Sequence, residues 1–292
     1  MTLRAAVRLA RPATLPAVAA GVLGGAVAAA GGWPADALAP IWALLSGVLL
    51  TGASNALNQI ADLETDRINR PDRPLPRGDA TTRAAWAFTA VLTAAALAFG
   101  AAVNVPYLAC IVLTIPVTAA YSLPPLRTKR IPLLANATIA TPRGLLLVVA
   151  GWAAGGGFER AEAWLLGALA WLYIFGASTT KDFADTAGDE ATGCRTLPLV
   201  LGPRRAALFV APFLVAPFLL YPAFAATGLL PGGIGRWALL GGALAAVGGA
   251  AAAMLVRRPA PPGNGSPHPA WGLMYLQLAS AHLGTALLFA TL

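Results

Sequence analysis

Nine long apolar runs constrain this chain more than any other feature, because each has the length that crosses a lipid bilayer. They lie near 12–30, 38–61, 84–103, 106–122, 132–153, 162–180, 205–228, 236–256 and 271–291 of the 292 residues. In hydrocarbon every backbone N–H and C=O must find its partner within the segment, so such runs become helices. Composition agrees: 58% of residues are hydrophobic and 11% are charged, against about 25% charged in soluble domains. The expected architecture is one all-α integral membrane domain over residues 1–292, with nine transmembrane helices.

The placement of charge sets the expected orientation. The net charge of +8 does not point to nucleic acid, because the bases sit in short loops between the runs. Of 20 Lys and Arg residues, 17 fall on the N-terminal side, Arg160 and Arg236 lie opposite, and Arg143 lies within the fifth run. The positive-inside rule then makes the N-terminus and the four long loops cytoplasmic and leaves the C-terminus outside, in a plasma (inner) membrane. Arg4, Arg8 and Arg11 ahead of a run ending at Ala28-Ala29-Ala30 have the outline of a secretory signal. The later spans need this helix's orientation, so it reads as a retained first span. Cys110, inside a run, and Cys194, in a polar loop, make no disulfide framework. The Pro- and Gly-rich stretch 260–269 reads as a flexible connector without chemistry.

Against this background the carboxylates are concentrated. Six of the 12 acidic residues lie in Asn58-Gln-Ile-Ala-Asp62-Leu-Glu64-Thr-Asp66 and in Lys181-Asp182-Phe-Ala-Asp185-Thr-Ala-Gly-Asp189, and Asp62 and Asp182 are 120 positions apart. Each stretch closes an apolar run on the same membrane face, after the second and the sixth, which suggests a weak repeat of four spans plus four with a ninth added. On a helix Asn58, Asp62 and Asp66 share a face, and so do Asp182, Asp185 and Asp189, while Glu64 points elsewhere. Two converging carboxylate faces suit a hard divalent cation such as Mg²⁺, which takes a few carboxylates, keeps waters and completes its shell with phosphate oxygens. The bases beside them, Arg67, Arg70, Arg73, Arg77 and Lys181, suit a diphosphate. Arg70-Pro-Asp-Arg-Pro-Leu-Pro76 cannot be regular helix and reads as a stiff cap over an anionic group.

Other polar residues are placed singly. Tyr121, ending the fourth run, is either an interface belt residue or a hydroxyl facing the site, and Arg127, Lys129 and Arg130 follow it. Arg143 lies inside an apolar run, where a charge faces a cavity or a partner, and Asn136 precedes it by seven positions on the same expected face. His282 reads as a satisfied helix-contact residue. Gly21, Gly25, Gly241, Gly242, Gly248 and Gly249 read as close helix packing.

With these motifs in hand, the chain resembles the UbiA superfamily of intramembrane prenyltransferases. Asn58, Asp62 and Asp66 match its Asn-x-x-x-Asp-x-x-x-Asp signature, and Asp185 and Asp189 match its Asp-x-x-x-Asp, followed by Gly193 and Thr196. The loop from Asp66 to Gly78 and Arg11-Pro12 are also similar to family features. The resemblance implies a nine-helix ring around a central cavity open to the cytoplasmic side and to membrane lipid. It implies Mg²⁺ holding a polyprenyl diphosphate through both motifs, ionisation of the allylic C–O bond, and capture of the cation by an acceptor. Residue reading and resemblance together assign the metal to Asn58, Asp62, Asp66, Asp182, Asp185 and Asp189, with Asp62, Asp66, Asp185, Asp189, Arg67 and Tyr121 catalytic. Lys181, Arg73, Arg127, Lys129, Asn136 and Arg143 are assigned to substrate binding.

The acceptor is read from finer similarities. Asn58-Gln59 with Asp62-x-Glu64-x-Asp66, Lys181-Asp182-x-x-Asp185-x-x-Gly188-Asp189, and Arg143 resemble homogentisate prenyltransferases, so a small aromatic acceptor and quinone or tocopherol-type lipid synthesis are expected. Tyr121-Ser-x-Pro-Pro-Leu-Arg-x-Lys129 looks like chlorophyll synthases, although those carry Asn-Asp where this chain has Asn58-Gln59. Lys181-Asp182-x-x-Asp185-x-x-Gly188-Asp189 is shared with glycerol-ether-lipid synthases. A secondary transporter is the rival of a different class, but transporters place their ionisable groups near the midplane rather than at one interface.

Overall fold

The computed structural model describes residues 1–259 and 267–292, so most of the expected connector lies outside the described residues. Among the described residues nine helices are long and apolar enough to cross a membrane, and there is no β-strand. They are α1 (Leu3–Ala30), α2 (Ala39–Ala61), α3 (Thr82–Ala101), α4 (Val105–Ser122), α5 (Leu134–Ala154), α6 (Ala161–Ala184), α7 (Pro203–Ala226), α8 (Ile234–Arg257) and α9 (Pro269–Ala290). The chain is a multi-pass integral membrane protein.

The main departure from the expected spans is at the start. α1 begins at Leu3 because a lead helix, Leu3–Ala10, precedes the apolar run, its first turn capped by the Thr2 hydroxyl accepting from the Ala5 N–H. Arg11 ends that helix in the left-handed region, φ 51. Pro12 cannot continue the hydrogen-bond ladder, and the chain resumes through a 3₁₀ turn, Pro12–Thr14, into Leu15–Ala30.

Each helix packs on the next in sequence and α9 closes on α1, which makes a ring, while α1 also crosses α5. Lipid tails are as apolar as Leu, so this association rests on close packing and interhelical hydrogen bonds. At the α1–α5 crossing a Cβ on Gly25 would sit 2.7 Å from the Gly151 Cα. Gly21, Gly241 and Gly248 make similar close approaches, but Gly242 and Gly249 face open space, against the packing role expected of them. The Gln277 amide of α9 donates to Leu214 O at 2.9 Å and Leu244 O at 2.8 Å, tying α9 to α7 and α8.

Three breaks in helical regularity aim the polar residues. α2 ends at Asp62, whose backbone leaves the helical region (φ −102, ψ 12) before a short helix, Leu63–Asn69. α6 tightens into 3₁₀ geometry over Ser178–Ala184, and Asp185 separates it from Thr186–Ala191. Inside α5 a π-turn runs from Thr141 to Leu146, around Pro142. This turn changes the helical register between Asn136 and Arg143. The two therefore do not share one face as expected, and they line different chambers.

Candidate active site

The two acidic stretches meet because side chains stitch their short helices together. The Asn69 amide donates to Asp185 O at 2.7 Å and accepts from the Gly188 N–H at 2.8 Å. The Thr65 and Thr192 hydroxyls are 2.9 Å apart, and Arg70 pairs with Asp185 at 2.7 Å. Gly188 is required here, since a Cβ would fall 2.6 Å from the Asn69 amide nitrogen. The i to i+4 ladder runs through the break at Asp62, where Asp62 N–H bonds Asn58 O and Asp66 N–H bonds Asp62 O; at the second break Asp185 N–H bonds Asp182 O, and the i to i+4 pattern resumes with Asp189 N–H on Asp185 O. Each signature thus keeps one face, the first across a break and the second within the short helix that Asp185 begins.

These faces line a mouth chamber of about 310 Å³ with Asn58, Asp62, Asp66, Asp182, Asp185 and Asp189 in its wall. Each motif carboxylate with a recorded ion pair faces a base rather than another carboxylate. Asp66 pairs with Arg73 at 2.5 Å, Asp182 with Lys181 at 3.7 Å, and Asp62 with Lys129 directly and with Arg127 at 3.8 Å. The Asn58 amide donates to Asp62 at 2.8 Å. Burial raises the Asp66 carboxyl above its ordinary value, and Arg73 opposes the shift. Burial, then the charge of Asp182, pushes Asp189 up to about 7. Burial lowers the Lys129 ammonium to about 8, while its contact with Asp62 favours the charged form.

Among the described residues no three acidic, His or Cys side chains form a ready metal cage. The donor set nonetheless fits a cation that fills most of its shell with water and phosphate oxygens. It is all oxygen, and Asp66 Oδ2 is buried without a hydrogen-bond partner. The convergence expected from sequence is therefore real in position, but the six carboxylate and amide groups surround a shared chamber instead of meeting at one point.

Above the mouth lies a neck chamber of about 100 Å³, and above that an apolar chamber of about 80 Å³ walled by residues such as Val22, Leu50, Tyr107 and Ile111. Arg143 reaches the neck and the apolar chamber, donating to the Tyr275 hydroxyl at 2.9 Å and to Asn55 Oδ1 at 3.5 Å. Arg11, placed by the break in α1, lines mouth and neck and donates to Asn58 at 3.3 Å, its buried Nε lacking a partner.

Most of the expected site residues come together here. Tyr121 lines mouth and neck with its hydroxyl accepting from Lys181 at 2.8 Å, which answers the belt-or-site alternative in favour of the site. Arg73, Lys129, Lys181 and Asn136 line the mouth. Asn136, however, spends its amide hydrogens on Phe175 O and the Thr179 hydroxyl of α6, the geometry of a helix tie. Arg127 stands just behind the wall, donating to Ala61 O at 3.1 Å. Arg67 is not brought in: its side chain is 58% exposed and pairs with Glu64 at 2.7 Å. His282 lines a separate cavity of about 30 Å³, and its Nε2 has no partner, so it is buried but not satisfied. Sequence reasoning passed over Arg11, Asn55, Asn69, Trp271 and Tyr275 as site residues. Only Arg11 carried a local signal, the Arg-Pro break.

A ring of membrane helices with a charged mouth, a polar neck and an apolar chamber in series defines a membrane-embedded site for an anionic head on a long apolar tail. The chain belongs to the UbiA prenyltransferase family, whose model matches residues 17–289. Among curated relatives, digeranylgeranylglyceryl phosphate synthase of Natronomonas pharaonis is 36% identical over 219 residues, 75% of this chain and 76% of the relative. The enzyme of the same name from Halobacterium salinarum is 38% identical over 219 residues, 73% and 74% of the two chains. A solved UbiA homologue from Archaeoglobus fulgidus bound to GPP and Mg²⁺ has a TM-score of 0.74 at 20% identity, covering 99% of this chain and 100% of that one. At that identity the likeness bears on the fold. The relatives overturn the expectation of an aromatic acceptor in quinone or tocopherol synthesis: they are named for a glyceryl phosphate product. Family membership also removes the transporter reading. The misreading came from Arg143 and Asn58-Gln59: Gln59 is buried and donates to Leu9 O at 2.8 Å, away from the chambers, and an arginine does not distinguish a ring from a glycerol.

Proposed function

We propose that this prenyltransferase moves a polyprenyl group from an allylic diphosphate onto the hydroxyl of a glyceryl phosphate that already carries one prenyl chain. The single observation that carries this choice is the 36% identity, over 75% of the chain, to a digeranylgeranylglyceryl phosphate synthase. In the reaction the allylic C–O bond breaks with both electrons leaving on diphosphate. The acceptor oxygen then forms the ether bond and gives up its proton. Arg70, Arg73, Lys129 and Lys181 bind and orient the diphosphate in the mouth, exchanging carboxylate partners for phosphate oxygens. The apolar chamber takes the prenyl tail and excludes water from the cation. Arg143 and Arg11 take the acceptor's phosphate; Arg143 is bonded to neutral groups, so its charge is available. Mg²⁺, as in the Archaeoglobus fulgidus homologue, would be held by Asn58, Asp62, Asp66, Asp182, Asp185 and Asp189, and it supplies neutralisation of the leaving diphosphate. The charge bias supports a mouth on the cytoplasmic face and a C-terminus outside, and the reading takes the membrane to be the plasma membrane.

The test is turnover in detergent with geranylgeranyl diphosphate and a panel of acceptors, with products read by mass. The expected product is the doubly prenylated glyceryl phosphate, lost with EDTA. Prenylation of homogentisate in its place would overturn the acceptor. Arg143→Gln is expected to raise KM for the phosphate acceptor roughly 10- to 100-fold, the worth of a charged hydrogen bond, and to leave diphosphate affinity unchanged.

A further inference from the structure

The carbon that ionises must sit where the mouth gives way to the neck, because it is bonded to a diphosphate held below and a tail that runs above. Six residues line both chambers: Arg11, Thr14, Asn58, Tyr121, Lys181 and Trp271. Two of them are cations, Lys181 for the leaving group and Arg11 for the acceptor's phosphate, and both oppose positive charge on the carbon beside them. The same position therefore needs a neutral surface with electron density to offer, and the face of an aromatic ring provides it without forming a bond. Of the two rings available, Tyr121 already carries the Lys181 ammonium 5.4 Å above its centroid. Trp271 is the other. One turn along α9 it meets Tyr275, with ring centroids 4.8 Å apart and 70° between the planes, and the Tyr275 hydroxyl is held by Arg143. The indole is thus fixed in place by a chain of contacts that ends on the residue reading the acceptor.

We propose that Trp271 is a catalytic residue, its indole face stabilising the positive charge that develops on the allylic carbon as the C–O bond breaks. The electron pair leaves with diphosphate, the cation is discharged by the acceptor oxygen, and the indole is unchanged at the end. The inference rests on the prenyl-transfer reading and is independent of which acceptor is used.

The experiment replaces Trp271 in the full chain by tryptophans carrying one, two and three fluorines, which drain the ring's negative face at nearly constant shape. Single-turnover release of diphosphate is followed alongside diphosphate affinity, with Trp271→Leu as the end point. The expected result is a stepwise fall in rate with fluorine number, reaching about 10- to 30-fold overall, as loss of a desolvated cation–π contact implies, at constant affinity. A flat series would overturn the proposal even if Trp271→Leu were slow or unfolded, since bulk alone would then explain the leucine variant. Turnover by the unsubstituted chain reports separately on the prenyltransferase reading, and its absence with every acceptor would remove the cation and the proposal with it.

Discussion

At the scale of single residues the site is a set of exchanged charges. Asp62, Asp66, Asp182 and Asp185 each face a base, so these four carboxylates have cationic partners within the chain itself. Asp62→Ala and Asp185→Ala are expected to lower kcat by at least 10²- to 10³-fold, the usual effect of removing a group that organises charge in the transition state. Circular dichroism and thermal unfolding should stay close to the parent. Full activity in either variant would remove these residues from the site. Asp189 sets a pH dependence. Its carboxyl is raised from the ordinary 3.8 to about 7 by burial and by Asp182, so between those values the folded chain binds more protons than the unfolded one. Its contribution to stability therefore declines as pH rises through that window. Binding of metal with diphosphate needs the charged carboxylate and should strengthen from pH 6 to pH 8, while Asp189→Asn should flatten the profile. Calorimetric titration across that range is the check.

At the scale of elements, function depends on where helices stop. The break at Asp62, the 3₁₀ turn before Asp185 and the π-turn around Pro142 turn three spans inward at the membrane face and in the neck. The joint between the two motif helices is the most exposed to substitution. Gly188→Ala places a methyl against the Asn69 amide, and the overpacking is expected to cost about 1–3 kcal/mol. Because the strain falls on the contact that aligns the motifs, activity should drop more than the unfolding temperature. Asn69→Ala tests the same joint by removing both of its hydrogen bonds. If Gly188→Ala lost stability and kept full turnover, the joint would be structural alone.

At the scale of the whole molecule, the nine spans of the described residues, packed in sequence and closed by α9 on α1, build one cavity graded from charged to apolar. Ligands that bind this cavity and not the unfolded chain must stabilise the ring. Mg²⁺ with a non-hydrolysable prenyl diphosphate at about 100 times Kd should add about 2.7 kcal/mol. Scanning fluorimetry should show an upward shift that EDTA reverses. Mg²⁺ alone should do less, since it meets carboxylates already held by Arg73, Lys129, Arg70 and Lys181.

The amino-acid order by itself determined the class and the parts: span count and the two acidic stretches follow from local periodicity, hydropathy and spacing, which survive in one dimension, and the family from the motifs' resemblance to known ones. It also placed Arg143 as an internal charge, because a guanidinium in an apolar run has no other way to be tolerated. Only the tertiary structure decided which bases meet which carboxylates, that Arg67 turns away to Glu64, that Asn136 ties α5 to α6, and that Arg11, Asn69 and Trp271 belong to the site. Some of these contacts are local, as Arg67 with Glu64, but Asn136 with Phe175 and Asn69 with Gly188 span 39 and 119 positions, across helix breaks whose angles depend on packing against neighbours. The acceptor escaped the sequence reading for a related reason. An arginine in an apolar run records that a charge is held inside the bundle, and the shape of what it meets is set by walls assembled from distant helices.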